Sequence, residues 1–155
     1  LQLTYALTGD LQQLTVPDSR QPARVDGLWR ETCFEIFLRA AGSAPYVEFN
    51  FAPSGEWAAY AFAEYRKGMR ALEQPEPPRI VCTRAAQRLE VKVQFHSSLL
   101  IEPGLRAALS AVLKHKDGKV SYWALAHPQG KPDFHDEVGF VAEGLRGLGL
   151  GPEQE

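Results

Sequence analysis

Residues 26–62, DGLWRETCFEIFLRAAGSAPYVEFNFAPSGEWAAYAF, constrain the fold more than any other part of the chain. From 33 to 38 the side chains alternate Cys/Glu/Phe on one face with Phe/Ile/Leu on the other. From 46 to 51 they alternate Tyr/Glu/Asn with Val/Phe/Phe. A period of two is the signature of a pleated strand, and a wholly apolar face must be buried. Residues 57–62 close an up-and-down meander, with 41–45 and Pro53-Ser54-Gly55 as its turns. The faces opposite the apolar ones carry Glu35, Glu48 and Asn50, which neighbouring strands can gather onto one surface beside Trp29 and Trp57.

The flanking sequence follows the same grammar. Residues 3–7 and 11–16 read as short edge strands around Thr8-Gly9-Asp10. Residues 65–70, YRKGMR, are turn-like, and Gln74-Pro75-Glu76-Pro77-Pro78 is a loop because proline has no amide hydrogen to give a ladder. Residues 80–84 and 88–95 form a hairpin whose second arm places Leu89, Val91, Val93 and Phe95 inward. Residues 105–113 suit helix or strand by period. Strand is preferred because Lys116-Asp117-Gly118-Lys119 is a two-residue type I′ hairpin signal before a strand at 120–125, and a hairpin needs both arms. A polar loop spans 127–137 and a last strand 139–145. These segments predict an all-β chain: a two-sheet antiparallel β-sandwich, jelly-roll or immunoglobulin-like, with about ten strands. It occupies 1–145, followed by a glycine-rich flexible tail at 146–155.

With 155 residues, 45% hydrophobic and 23% charged, the chain has the size of one domain with a real core. Its formal net charge of -2, with both signs interspersed, provides no basic face for nucleic acid. No apolar run approaches the roughly 20 residues that cross a bilayer, so a soluble protein is expected. The chain opens on Leu1, which leaves its compartment, cytoplasmic or periplasmic, open. Cys33 and Cys82 are either two buried thiols or a disulfide across the sandwich.

Several residues carry candidate chemistry. Trp29 and Trp57 border the polar face, where an indole could stack on a sugar ring; Trp123, alternating with Ser121 and Leu125, reads as core. Glu35 interrupts an otherwise apolar row and needs a partner, with Arg66, Lys67, Arg30 or a ligand hydroxyl as candidates. Glu35 and Glu48 on adjacent strands would suit a glycosidase pair, but nothing else supports hydrolysis and no catalytic residue is assigned. His96, His115, His127 and His135, with Asp133 and Asp136, match no standard zinc spacing, so no metal site is assigned. Ser54 lacks a nucleophile elbow and reads as a turn.

The central stretch and SYWALAHPQGKPDFHDEVGF resemble the DOMON-like domains of bacterial proteins, a superfamily related to the family-9 carbohydrate-binding modules. The clearest local match is LWRETCFEIFL. In those modules a Trp and a Glu at the equivalent positions contact the sugar, and Trp29 and Glu35 fall there. The chain departs from the modules at Thr32, where they often carry an acid, and at Asn50, near which they carry a base. In the late loop Phe134 and the histidines stand where the modules place a second Trp.

The resemblance implies sugar contacts at Trp29 and Glu35; with the reading of the residues it predicts a non-catalytic module without a cofactor for a small-molecule ligand of the sugar class, held by Trp29, Glu35, Asn50 and Trp57 and rimmed by His127, Asp133 and Phe134. DOMON relatives also bind haem, which makes Met69 with His127 or His135 an alternative haem pair. A protein-interaction sandwich with a merely solvated polar face is the third reading.

Overall fold

The computed structural model describes residues 1–143. Among them are ten strands and no α-helix. The strands are β1 (Gln2–Thr8), β2 (Cys33–Arg39), β3 (Tyr46–Phe51), β4 (Trp57–Phe62), β5 (Arg70–Ala71), β6 (Arg79–Ala85), β7 (Arg88–Gln94), β8 (Arg106–Lys114), β9 (Val120–Ala124) and β10 (Ala142–Glu143). They form two antiparallel sheets: a three-stranded one ordered β1-β7-β6, and a seven-stranded one ordered β10-β8-β2-β3-β4-β5, with β9 also paired to β8. The expected β-sandwich is therefore the architecture found.

The core lies between the sheets and is built by the predicted alternation. Phe34, Ile36 and Leu38 of β2, and Val47, Phe49 and Phe51 of β3, meet Leu89, Val91 and Val93 of β7. The tilted rings of Phe49 and Phe95 lie with centroids 4.7 Å apart, and Tyr5 packs on Phe34 at 5.0 Å. Each large side chain buried here contributes roughly 1.5–3 kcal/mol, which makes the sheet-to-sheet contact the main stabilising layer.

The opposite face of the large sheet is covered as well. Leu28 and Val25 from the segment before β2, and Phe134 and Phe140 from the late loop, pack over Cys33, Phe37, Tyr46, Tyr60 and Phe62. A second apolar cluster thus surrounds the polar residues of β2 and β3. This covering, rather than open solvent, sets the environment of the site.

Some expectations needed correction. Residues 11–16 are not a strand: Leu11–Gln13 is a 3-10 turn capped by Asp10, whose carboxylate accepts from the Gln12 amide at 3.1 Å, leaving only a Leu14–His115 bridge. A capped turn consumes the amides a ladder would use. The 115–119 hairpin is not type I′. The Gly118 amide donates to the His115 carbonyl at 3.0 Å, the His115 amide donates to that of Lys119 at 2.8 Å, and of the loop residues only Gly118 has positive φ, at 86°. That is a type I turn closed by a glycine bulge.

The end of the basic 65–70 turn pairs briefly with β4 as β5. The last strand starts at Ala142 rather than at 139, because a 3-10 turn at Glu137–Gly139, capped by Asp136, occupies its expected start. Residues 144 and 145 and the expected tail at 146–155 lie outside the described residues. Both cysteines are free. Cys33 faces the outer cluster and Cys82 the inter-sheet core, so the large sheet separates them.

Candidate functional site

In the large sheet Glu35 lies opposite Asn50 on one side and Ser110 of β8 on the other, while Glu48 lies opposite Phe37 and Tyr60. Strand alternation therefore places Glu35, Glu48, Asn50 and Ser110 on the outer face, with the two acids as diagonal neighbours. All four are buried; Glu35 is 3% exposed and Asn50 is fully buried. Above the acids opens a cavity of about 390 Å³. Trp29, Tyr122, Phe134 and Met69 contribute to its walls, and Glu35, Glu48 and His135 also line it. That volume is in the ordinary range for small-molecule sites.

Two covering segments are tied down by specific bonds. Gly27, with φ 80°, starts the 3-10 turn Leu28–Arg30, a backbone conformation that favours glycine. The Tyr60 hydroxyl donates to Asp26 at 2.7 Å, anchoring this turn to β4. Leu28 is buried beneath, and Trp29 is left 40% exposed, edge-on to Tyr60. The late loop is held through Asp133. Its carboxylate accepts from the Arg66 guanidinium at 2.7 Å, from the His135 amide at 3.0 Å and from the Tyr65 hydroxyl. Burial raises the Asp133 pKa, but these bonds outweigh it and hold the carboxyl below its ordinary value. Arg66 sits in the left-handed region at φ 54°, a strained position for a non-glycine residue.

His135 is tied to the sheet through Tyr46. The Arg66 amide donates to the Tyr46 hydroxyl oxygen at 3.1 Å, and the Tyr46 hydroxyl is hydrogen-bonded to His135 Nδ1 at 2.7 Å. Nε2 faces Glu48 at 3.8 Å. Desolvation, then the positive field of Arg66, lowers the His135 pKa to about 4, so the ring is neutral near pH 7.

The two carboxyls are shifted the other way. Desolvation, then the charge of Glu48, pushes Glu35 well above the usual carboxylate range, against a 3.4 Å hydrogen bond from Ser110. Desolvation lifts Glu48 to about 7, although Asn50 donates to it at 2.8 Å and Arg66 is near. Among the described residues, the only nitrogen base within 4.0 Å of either carboxylate is His135. Asn50 Oδ1 is buried with no hydrogen-bond partner. The two acids that line the cavity are thus without a cationic partner.

Of the residues picked from the sequence, Trp29, Glu35, Phe134, Met69 and His135 line this cavity. Asn50 lies beside both acids but is not part of the lining, and Asp133 acts as the latch for Arg66. Trp57 does not border the polar face. It is in phase with Ala59 and Ala61, 5% exposed in the inter-sheet core, with the Arg24 guanidinium 5.3 Å from its ring. His127 is exposed, its ring 6.1 Å from that of Phe134, and is not part of the lining. Trp123, expected as core, is 61% exposed on the edge strand β9.

Glu48 lines the cavity from the polar face expected for it, Arg66, a candidate partner for Glu35, lines it too but pairs with Asp133, and Tyr122 was found by the fold alone. The signal for Glu48 was present in the alternation of β3. Tyr122 enters because it lies opposite Val112, which shares the face of Glu35 and Ser110.

No protein-family model matches the chain, and no curated protein does. A solved structure from Bacteroides uniformis ATCC 8492, described as a candidate carbohydrate-binding protein, shares the fold with a TM-score of 0.51 at 12% identity. The match covers 90% of this chain and 68% of that one. At that identity the likeness speaks for the β-sandwich architecture. No helix among the described residues is long and apolar enough to cross a membrane.

Proposed function

We propose that this chain is a non-catalytic module that binds a small polar ligand of the sugar class in the cavity over β2 and β3. The observation that carries the reading is one open concavity with an exposed indole, Trp29, above two buried carboxyls, Glu35 and Glu48. An aromatic wall offers a stacking face for a pyranose ring, and the acids below orient its hydroxyls. Three further points support it: a cavity volume of about 390 Å³, the fold shared with a candidate carbohydrate-binding protein, and the resemblance of LWRETCFEIFL to the DOMON-like and family-9 modules.

The haem alternative has a poorer donor set. Met69 and His135 share the cavity, with His135 Nδ1 bonded to Tyr46 and Nε2 facing Glu48 at 3.8 Å. His127 stands outside the lining. One histidine, contacted at both ring nitrogens, is thus the whole nitrogen set beside Met69, which supports the sugar reading over the haem one.

The test is a fluorescence titration with a panel of mono- and disaccharides at millimolar concentration, with Trp29→Ala as the control. A saturable change that Trp29→Ala abolishes is expected. No saturable change with any saccharide contradicts the reading.

A further inference from the structure

We propose that the cavity selects ligands bearing a protonated amine, seating the ammonium against Glu35 and Glu48, so that an amino sugar is preferred over a neutral one. The proposal rests on the binding reading above and deepens it by naming the ligand's charge.

The argument begins from unmatched groups on the floor. The Glu35 carboxyl receives one long hydrogen bond, from Ser110 at 3.4 Å, and the Glu48 carboxyl one from Asn50 at 2.8 Å. Neither has a cationic side chain within 4.0 Å; His135 is neutral, and the nearby Arg66 already pairs with Asp133 at 2.7 Å. Asn50 Oδ1, directly opposite Glu35 and fully buried, has no donor. The cluster therefore holds two acids without a cation and one buried carbonyl oxygen without a donor. Burying acids in this state is costly unless something pairs with them.

A ligand hydroxyl brings no charge to the two acids. An ammonium brings three donors and the missing positive charge, which matches the two carboxyls that line the cavity. Its positive charge lets both carboxyls ionise, and charge-assisted bonds are about twice as strong as neutral ones. The walls fit too. Trp29, Tyr122 and Phe134 line the same cavity, and aromatic faces attract a cation.

Calorimetric titration at pH 7 with glucosamine, glucose and N-acetylglucosamine tests this, because the acetyl group removes the charge and keeps the ring. Glucosamine is expected to bind about tenfold or more tightly than glucose, and Glu35→Gln and Glu48→Gln to erase that preference. Glucose or N-acetylglucosamine binding as well as glucosamine, or a preference that survives both substitutions, overturns the inference and leaves the sugar reading standing. If no saccharide binds, the sugar reading fails alone, and benzylamine and cadaverine become the probes. Binding of either that is lost in Glu48→Gln supports the inference, and no binding of either overturns it. Circular dichroism spectra of the variants matching the parent establish that both fold.

Discussion

Replacing Glu48 with Gln should make the protein more stable and less able to bind. In the folded chain the Glu48 pKa rises from 4.5 to about 7, chiefly through desolvation. The folded state therefore holds the proton more tightly than the unfolded one. The group costs nothing below about pH 4.5, its cost grows between 4.5 and 7, and it is full above 7. At about 1.4 kcal/mol per tenfold change in proton affinity, the full cost is about 3 kcal/mol. Gln has the shape of the neutral acid and keeps an oxygen for the Asn50 amide, so Glu48→Gln removes this cost. Urea unfolding should show the variant more stable by about 3 kcal/mol at pH 8 and nearly equal to the parent at pH 5. Higher stability with lost binding is the mark of a site maintained for function. A variant less stable than the parent at pH 8, or shifted equally at both pH values, would refute the reasoning.

The other predictions concern neighbouring groups. Below pH 6.5 the folded state resists protonation of His135, so the double variant Glu35→Gln/Glu48→Gln, freed of both opposing carboxyl contributions, should lose stability as pH falls from 6.5 towards 4, read by thermal melts. Tyr46→Phe removes the hydroxyl that bonds His135 Nδ1 and accepts from the Arg66 amide, which should cost about 1–3 kcal/mol in urea unfolding. Trp57→Ala should destabilise by about 3–5 kcal/mol as a core truncation, whereas Trp29→Ala should cost under about 1 kcal/mol and abolish binding. Asp133→Asn leaves the Arg66 charge uncompensated, which should lower the Glu48 pKa from about 7 in a carboxyl carbon-13 titration.

Much of the fold was legible because β2, β3 and β7 alternate with high contrast between their faces. That contrast put Phe34, Ile36 and Leu38 in the core and Glu35 opposite them, which is where they lie. It failed for β4, where Trp57, Ala59 and Ala61 and the opposing Ala58, Tyr60 and Phe62 are all apolar. Only pairing with β3 decides which row faces the core, and it sends Trp57 inward. Trp123 was misread for a related reason: β9 is an edge strand, so its alternation reports pleating but not burial. Residues 11–16 showed strand-like spacing, but Asp10 caps a turn there. The site's tightest connections, Arg66 with Asp133 and Tyr46 with His135, join loops and strands distant in sequence. No local pattern encodes such pairs, so the late loop's role as a latched cover emerged only from the fold.

The three tryptophans provide the most direct test of where a ligand sits, since their indoles occupy the cavity wall, the inter-sheet core and an exposed edge strand. In a two-dimensional proton–nitrogen spectrum each indole N–H gives its own signal. Saturation with the tightest-binding saccharide should shift the Trp29 indole and the Asn50 side-chain amide, and leave Trp57 and Trp123 in place. A ligand that shifts Trp123 and leaves Trp29 unmoved would contradict the account.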